Sequence, residues 1–207
     1  IANISDLLDG NIDLIKEGLG RDKRIGFSFI NPGVGYGGSC FPKDVKALIS
    51  VSESLGYNPK HLKATDEVNK EQKKIMFNKI SKRFKNKLGG LKFALWGLTF
   101  KPDTDDVRES PSIELVKKLS AAGASVVAYD PKGSDEFKKA IKTNKLLQVV
   151  DKKEDCLKGA DALILMTEWS EFKIDSTSSL RNNLNQLIIF DGRNYLDLQS
   201  LDLNEFE

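Results

Sequence analysis

Within the stretch Gly33-Val34-Gly35-Tyr36-Gly37-Gly38-Ser39-Cys40-Phe41-Pro42-Lys43-Asp44, a cysteine stands between a glycine-rich run and a helix start. Val45, Leu48, Ile49 and Ser52 recur at helical spacing over 43–55, and Pro42 suits the first position of that helix. Cys40 would then lie beside unpaired N–H groups at a helix N-terminus, a field that favours a thiolate. A thiolate adds readily to an aldehyde and leaves from an acyl group, so covalent catalysis is the chemistry this placement suits. Four glycines in the six residues 33–38 free the backbone to approach a phosphate or a sugar closely. On spacing alone a plainer reading stays open: a tight turn with a cysteine that only packs, since free cysteines are usually buried and inert.

The elements that must carry this stretch differ between the two parts of the chain. Up to about Lys87 the pattern is helical, with segments over 1–9 and 11–19 that break near Asp9-Gly10 and end at Gly20. Beyond the Gly56-Tyr57-Asn58-Pro59 break, 62–87 reads as one long helix with Val68, Ile75, Met76, Ile80 and Phe84 on one side. That stripe is expected to bury against a second copy of the chain. Its Lys-rich end (Lys79, Lys82, Arg83, Lys85, Lys87) reads as a solvated face rather than a nucleic-acid patch.

Gly89-Gly90 punctuates the chain, and short apolar runs then alternate with helices. Strands are expected at 92–98, 125–129, 147–150, 162–167 and 187–191, and helices at 113–122, 134–143, 153–158 and 179–184. The alternation implies an α/β fold: a helical dimerisation region, 1–88, followed by a Rossmann-like, doubly wound parallel-sheet domain, 89–207. Ligands on such sheets bind at the carboxyl ends of the strands. The first loop there, Gly97-Leu98-Thr99-Phe100-Lys101, lacks G-x-G-x-x-G, so this domain is not expected to wrap a dinucleotide of its own. Asp130, where such folds place a ribose-binding acid, is then better read as a strand-end cap.

The totals narrow the partners. With 32 basic and 30 acidic side chains the net charge is +2, which calls for no nucleic acid or other polyanion. No apolar run approaches the ~20 residues of a membrane helix. Cys40 and Cys156 give no disulfide framework, which suits a cytoplasmic protein, and a single histidine, His61, leaves little material for a metal cluster or a Cys/His pair. Cys156 reads as a packing residue, His61 as a surface residue and Trp96 as core. The helical stripe Ile1, Ile4, Leu7, Leu8 is already running at the first residue, so the chain is expected to be a piece of a longer protein.

Residues 24–48 closely resemble the active-site signature of the UDP-glucose 6-dehydrogenases, within the UDP-glucose/GDP-mannose dehydrogenase family. Two further stretches add to the resemblance: Gly97-Leu98-Thr99-Phe100-Lys101-Pro102-Asp103-Thr104-Asp105-Asp106-Val107-Arg108-Glu109-Ser110-Pro111, and Phe190-Asp191-Gly192-Arg193-Asn194. The likeness runs along the whole chain. It implies two successive NAD-dependent oxidations of the C6 alcohol of UDP-glucose, through a thiohemiacetal and a thioester on Cys40, with Asp44 assisting water and proton handling. It assigns Lys43 and Arg108 to the cofactor. To the substrate it assigns Phe29, Ile30, Gly33, Tyr36, Gly37, Phe100, Lys101 and Arg193, and also Arg24 reaching across a homodimer.

The family's glycine-loop NAD domain, and a catalytic lysine and asparagine, would precede Ile1, so the chain alone is expected to bind UDP-sugar without turnover. On the residues themselves, Asp44 could instead be a first-turn carboxylate on a helix dipole, Lys43 a surface cation, and Arg108 one half of a local ion pair with Glu109. Rival readings are a sister dehydrogenase for GDP-mannose or a UDP-N-acetylhexosamine, a non-catalytic sugar-nucleotide-binding module and, third, a cysteine hydrolase, for which no histidine is placed.

Overall fold

In the computed structural model, which describes residues 1–142, 144–174 and 176–196, the apolar runs after Gly90 pair into one parallel sheet. Its strands are β1 (Lys92–Trp96), β2 (Ser125–Tyr129), β3 (Leu147–Val149), β4 (Ala162–Leu165) and β5 (Ile189–Asp191), in the order β3-β2-β1-β4-β5. Side chains alternate between the faces. Phe93 and Leu95 enter one core cluster with Val126, Ala128 and Ile164, while Ala94 and Trp96 enter another with Val127, Leu163 and Leu165. Both faces are therefore covered, as a parallel sheet requires.

Trp96 registers with Tyr129 on one side and Leu165 on the other, and Leu165 registers with Asp191. The loops after four strands thus leave the sheet along one edge, where the expected binding residues lie. Helices α6 (Pro111–Ala121), α7 (Ser134–Ile141), α8 (Lys153–Leu157) and α9 (Ser178–Asn183) fall within two residues of their expected positions; Thr143, the expected end of α7, lies outside the described residues. Ser110 caps α6 by accepting from the Ser112 N–H, and Pro111 occupies the first helical position. Trp96 is buried and stacked on Phe172, with ring centroids 5.3 Å apart, and Cys156 is fully buried, as expected of both. His61 is exposed.

Two compact units make up the chain, residues 1–33 and residues from Val34 onward. The first holds α1 (Ala2–Leu7) and α2 (Ile12–Gly20), the latter capped by Asn11, whose side chain accepts from the Asp13 and Leu14 N–H groups. In the second, α3 (Cys40–Ser54) packs against α4 (Lys60–Gln72), and α5 (Ile75–Arg83) follows.

The long helix expected over 62–87 is therefore two. At Lys73 and Lys74 the ladder tightens, with the Lys74 N–H bonding the Glu71 carbonyl three residues back. The break lets each half meet a different neighbour. Met76 and Ile80 of α5 are buried in the core that α6 shares with the sheet, with Ile75, Phe77 and Phe84 packed against it, while Val68 of α4 stays 63% exposed. Most of the stripe expected to meet a second copy is spent inside this chain. No helix among the described residues is long and apolar enough to cross a membrane.

Candidate active site

Cys40 is the first residue of α3. The helix begins three residues earlier than its periodicity suggests, and Pro42 still falls in the first turn, where its missing N–H costs no intrahelical bond. The thiol is exposed, with Sγ 3.6 Å from Ser39 Oγ. Asp44, one turn on, is exposed too, its Oδ1 3.4 Å from Lys43 Nζ.

The loop before Cys40 rests on the loop that follows β1. The Gly38 N–H donates to the Arg108 carbonyl at 2.8 Å. A Cβ on Gly37 would stand 2.6 Å from the Glu109 carbonyl oxygen, and one on Gly38 would stand 2.8 Å from the Phe100 ring, so close approach demands glycine at both. Tyr36 turns its ring edge-on to Phe41, with centroids 4.5 Å apart, and its hydroxyl is buried without a hydrogen-bond partner; burial pushes the phenol pKa up. Lys101 is exposed, its Nζ 5.4 Å from the centre of the Phe100 ring.

Arg108 forks onto Asp106, with Nε to Oδ1 at 2.9 Å and a terminal nitrogen to Oδ2 at 2.8 Å. Those bonds raise the guanidinium pKa. The ion pair weighed for Arg108 with Glu109 forms with Asp106 instead. Glu109 takes Lys73 at 2.8 Å and Lys46 at 3.4 Å, and the Lys73 hydrogen bond holds its carboxyl below the usual range. A folded-state pKa lowered in this way contributes stability at neutral pH that fades as pH falls through the lowered value. The stability advantage of the protein over its Glu109→Gln variant, followed by thermal melting, should be small, present at neutral pH and lost only below the ordinary glutamate range. An advantage independent of pH would show that the pair contributes nothing.

Beyond β5, Asp191 accepts from the Arg193 N–H at 2.9 Å and from the Tyr195 and Leu196 N–H groups at 2.7 and 2.8 Å, forming a tight turn. Arg193 is held in bidentate fashion by Glu168, at 2.6 and 2.7 Å, with its side chain 19% exposed. A Cβ on Gly192 would stand 2.8 Å from Val34 Cγ1, so this turn abuts the start of the cysteine loop. Three separate segments thus converge: the cysteine loop, the loop after β1 and the turn after β5.

Strand order reverses between β1 and β4, and the segments that leave these two strands pack closely. A Cβ on Gly97 would stand 2.5 Å from the Thr167 nitrogen, and Thr167 Oγ1 donates to the Thr99 carbonyl at 2.6 Å. Asp130 is buried and spent as a strand-end cap: Oδ2 accepts from the Leu98 and Thr99 N–H groups, the Thr99 hydroxyl and the Trp169 indole, and Oδ1 from the Lys132 and Gly133 N–H groups. Lys43 and Arg108 carry exposed cationic side chains, the first 3.4 Å from Asp44 and the second 2.8 Å from Asp106.

Four expected substrate residues belong to the first unit. Arg24 pairs with Asp22 at 2.6 Å, Phe29 is fully exposed with φ +63°, and Ile30 and Gly33 are half-buried. Sequence reasoning missed Asn69, Asp106 and Glu168 as partners of the site. Asn69 and Glu168 act across long separations, and only an uncharged Asn within a Lys- and Glu-rich helix could have marked the first.

Comparison with known proteins adds to this geometry. The family model "UDP-glucose/GDP-mannose dehydrogenase family, central domain" matches residues 1–71, and that family's "UDP binding domain" matches residues 94–198. The chain belongs to the UDP-glucose/GDP-mannose dehydrogenase family.

Among family members, the UDP-glucose 6-dehydrogenase of Pseudomonas aeruginosa is 39% identical over 94% of this chain and 44% of its own. A UDP-glucose dehydrogenase structure from the hyperthermophilic archaeon Pyrobaculum islandicum is 30% identical over 97% of this chain and 44% of its own, with a TM-score of 0.80. The UDP-N-acetyl-mannosamine dehydrogenase Cap5O of Staphylococcus aureus is 25% identical over 99% of this chain and 42% of its own, with a TM-score of 0.71. The chain thus spans less than half the length of the family members it matches.

Proposed function

We propose that this chain is the thiol-bearing and UDP-sugar-binding part of an NAD-dependent UDP-glucose 6-dehydrogenase that works as a homodimer. The observation that carries the reading is the exposed Cys40 at the first position of α3, on a loop pinned against the loop of Arg108. Likeness to the dehydrogenases supports the substrate.

In this reading the C6 alcohol of UDP-glucose loses a hydride and a proton to become an aldehyde, and the Cys40 thiolate adds to the aldehyde carbon. The adduct oxygen takes a proton, giving a thiohemiacetal. Loss of a second hydride and of that proton leaves a thioester, which water hydrolyses to the carboxylate while the thiol is released. Bound NAD⁺, one for each oxidation, supplies the hydride acceptor. Lys43 and Arg108 would hold it, and Asp44 would take the proton of the attacking water. Phe100, Lys101 and Arg193, on loops that leave one edge of the sheet, would hold the uridine and diphosphate, and the backbone of Gly33, Tyr36 and Gly37, with Phe29 and Ile30, the sugar. Arg24 would reach the substrate of the second subunit.

Calorimetric titration tests the substrate. UDP-glucose should bind more tightly than UDP-N-acetylglucosamine or GDP-mannose; preference for the acetylated sugar would favour the reading suggested by the Cap5O likeness. Arg193→Ala should weaken UDP binding by roughly 1.5–3 kcal/mol, the scale of a hydrogen bond to a charged group. Because Glu168 already neutralises Arg193, the response of binding to salt should rest chiefly on Lys101. Unchanged UDP affinity in both Arg193→Ala and Lys101→Ala would move the nucleotide elsewhere.

A further inference from the structure

The loop that delivers Cys40 has no secondary structure of its own from residue 34 to residue 37, yet both backbone groups of Tyr36 are paired. They pair with one side chain. Asn69, near the end of α4, accepts from the Tyr36 N–H through Oδ1 at 2.8 Å and donates to the Tyr36 carbonyl through Nδ2 at 3.1 Å. The amide imitates a neighbouring strand at a single residue, and it does so while only 7% exposed, where an unpaired amide would be costly. The fit is close on the loop side also. Gly35 has φ +99°, and a Cβ there would stand 2.8 Å from Asn69 Oδ1 and 3.2 Å from Lys73 Cγ.

One turn further on, Lys73, its side chain 10% exposed, reaches Glu109, the residue after Arg108. The end of α4 therefore grips both loops: Asn69 holds the cysteine loop, Lys73 holds the loop after β1, and the Gly38 N–H joins the two at Arg108. From Tyr36 the constraint passes to the thiol along two short routes, the four-residue backbone to Cys40 and the Tyr36 ring against Phe41.

We propose that Asn69 is a positioning residue for Cys40, fixing where the thiol stands relative to the helix start and Arg108. The proposal gives a mechanistic role to a residue outside the motifs. It rests on the reading of Cys40 as the reacting thiol, but its test needs no sugar nucleotide, so its failure is distinct from failure of the proposed substrate.

The probe is iodoacetamide, with labelling of each cysteine followed by mass spectrometry on the intact protein. Cys156 is the internal control: fully buried, with burial pushing its pKa to about 12, it reacts only if the sheet domain opens. Asn69→Ala should slow Cys40 labelling by about threefold or more, because the thiol would no longer be held at the helix start. Asn69→Asp keeps the 2.8 Å acceptor and should recover part of the rate. Gly35→Ala strains the same contact from the opposite side and should slow labelling as well, with Asn69 intact. Cys156 should stay unlabelled throughout. Unchanged Cys40 labelling in both Asn69→Ala and Gly35→Ala would overturn the proposal. So would Cys156 labelling in step with Cys40, because Asn69 would then support the domain rather than the thiol.

Discussion

Replacing Cys40 by alanine should abolish oxidation of UDP-glucose in the longer protein that carries the nicotinamide site, by at least about 10⁴-fold, the scale of losing an enzyme nucleophile. The thiol is the only group in the proposed mechanism that both captures the aldehyde and carries the acyl group between the two oxidations. Cys40 is exposed, so its removal creates no buried cavity. The variant should therefore bind UDP and melt as the parent does. Steady NADH production by Cys40→Ala at more than a hundredth of the parent rate would remove the covalent mechanism, whatever its affinity for UDP.

Replacing Asp130 by alanine should act on the fold instead. Its two oxygens accept six hydrogen bonds, from Leu98, Thr99, Lys132, Gly133 and Trp169, at a residue 3% exposed. The alanine variant leaves several of those donors buried and unpaired at about 1–3 kcal/mol each, so a loss of at least about 3 kcal/mol is expected. At this chain length that corresponds to a fall in Tm of roughly 6–12 °C. Asp130→Asn should recover only part of it, since an amide nitrogen would replace one accepting oxygen while every partner is a donor. A melting temperature within about 2 °C of the parent's for Asp130→Ala would mean that water replaces the carboxylate without penalty.

Much of the fold was legible because its signals are local. Alternating apolar runs between helical segments gave five parallel strands near their expected places. The placement of Cys40 at a helix start was legible for the same reason, since apolar spacing and a proline report on a single helix. The division of 62–87 into α4 and α5 was not, because no glycine or proline marks Lys73 and Lys74; the break follows from what each half packs against.

The site's framework was decided at greater range. Asn69 meets Tyr36 across 33 positions, Lys73 meets Glu109 across 36, and Glu168 meets Arg193 across 25. Periodicity and caps describe neighbours within a turn or a strand, so residue types alone determined that this chain would carry a cysteine between a glycine loop and a helix start, followed by a parallel sheet; that the thiol is exposed is a property of the tertiary structure. Which side chain holds that loop, and which acid holds Arg193, follows from strand order and helix packing. Those bring together backbone and side-chain groups that no local pattern relates.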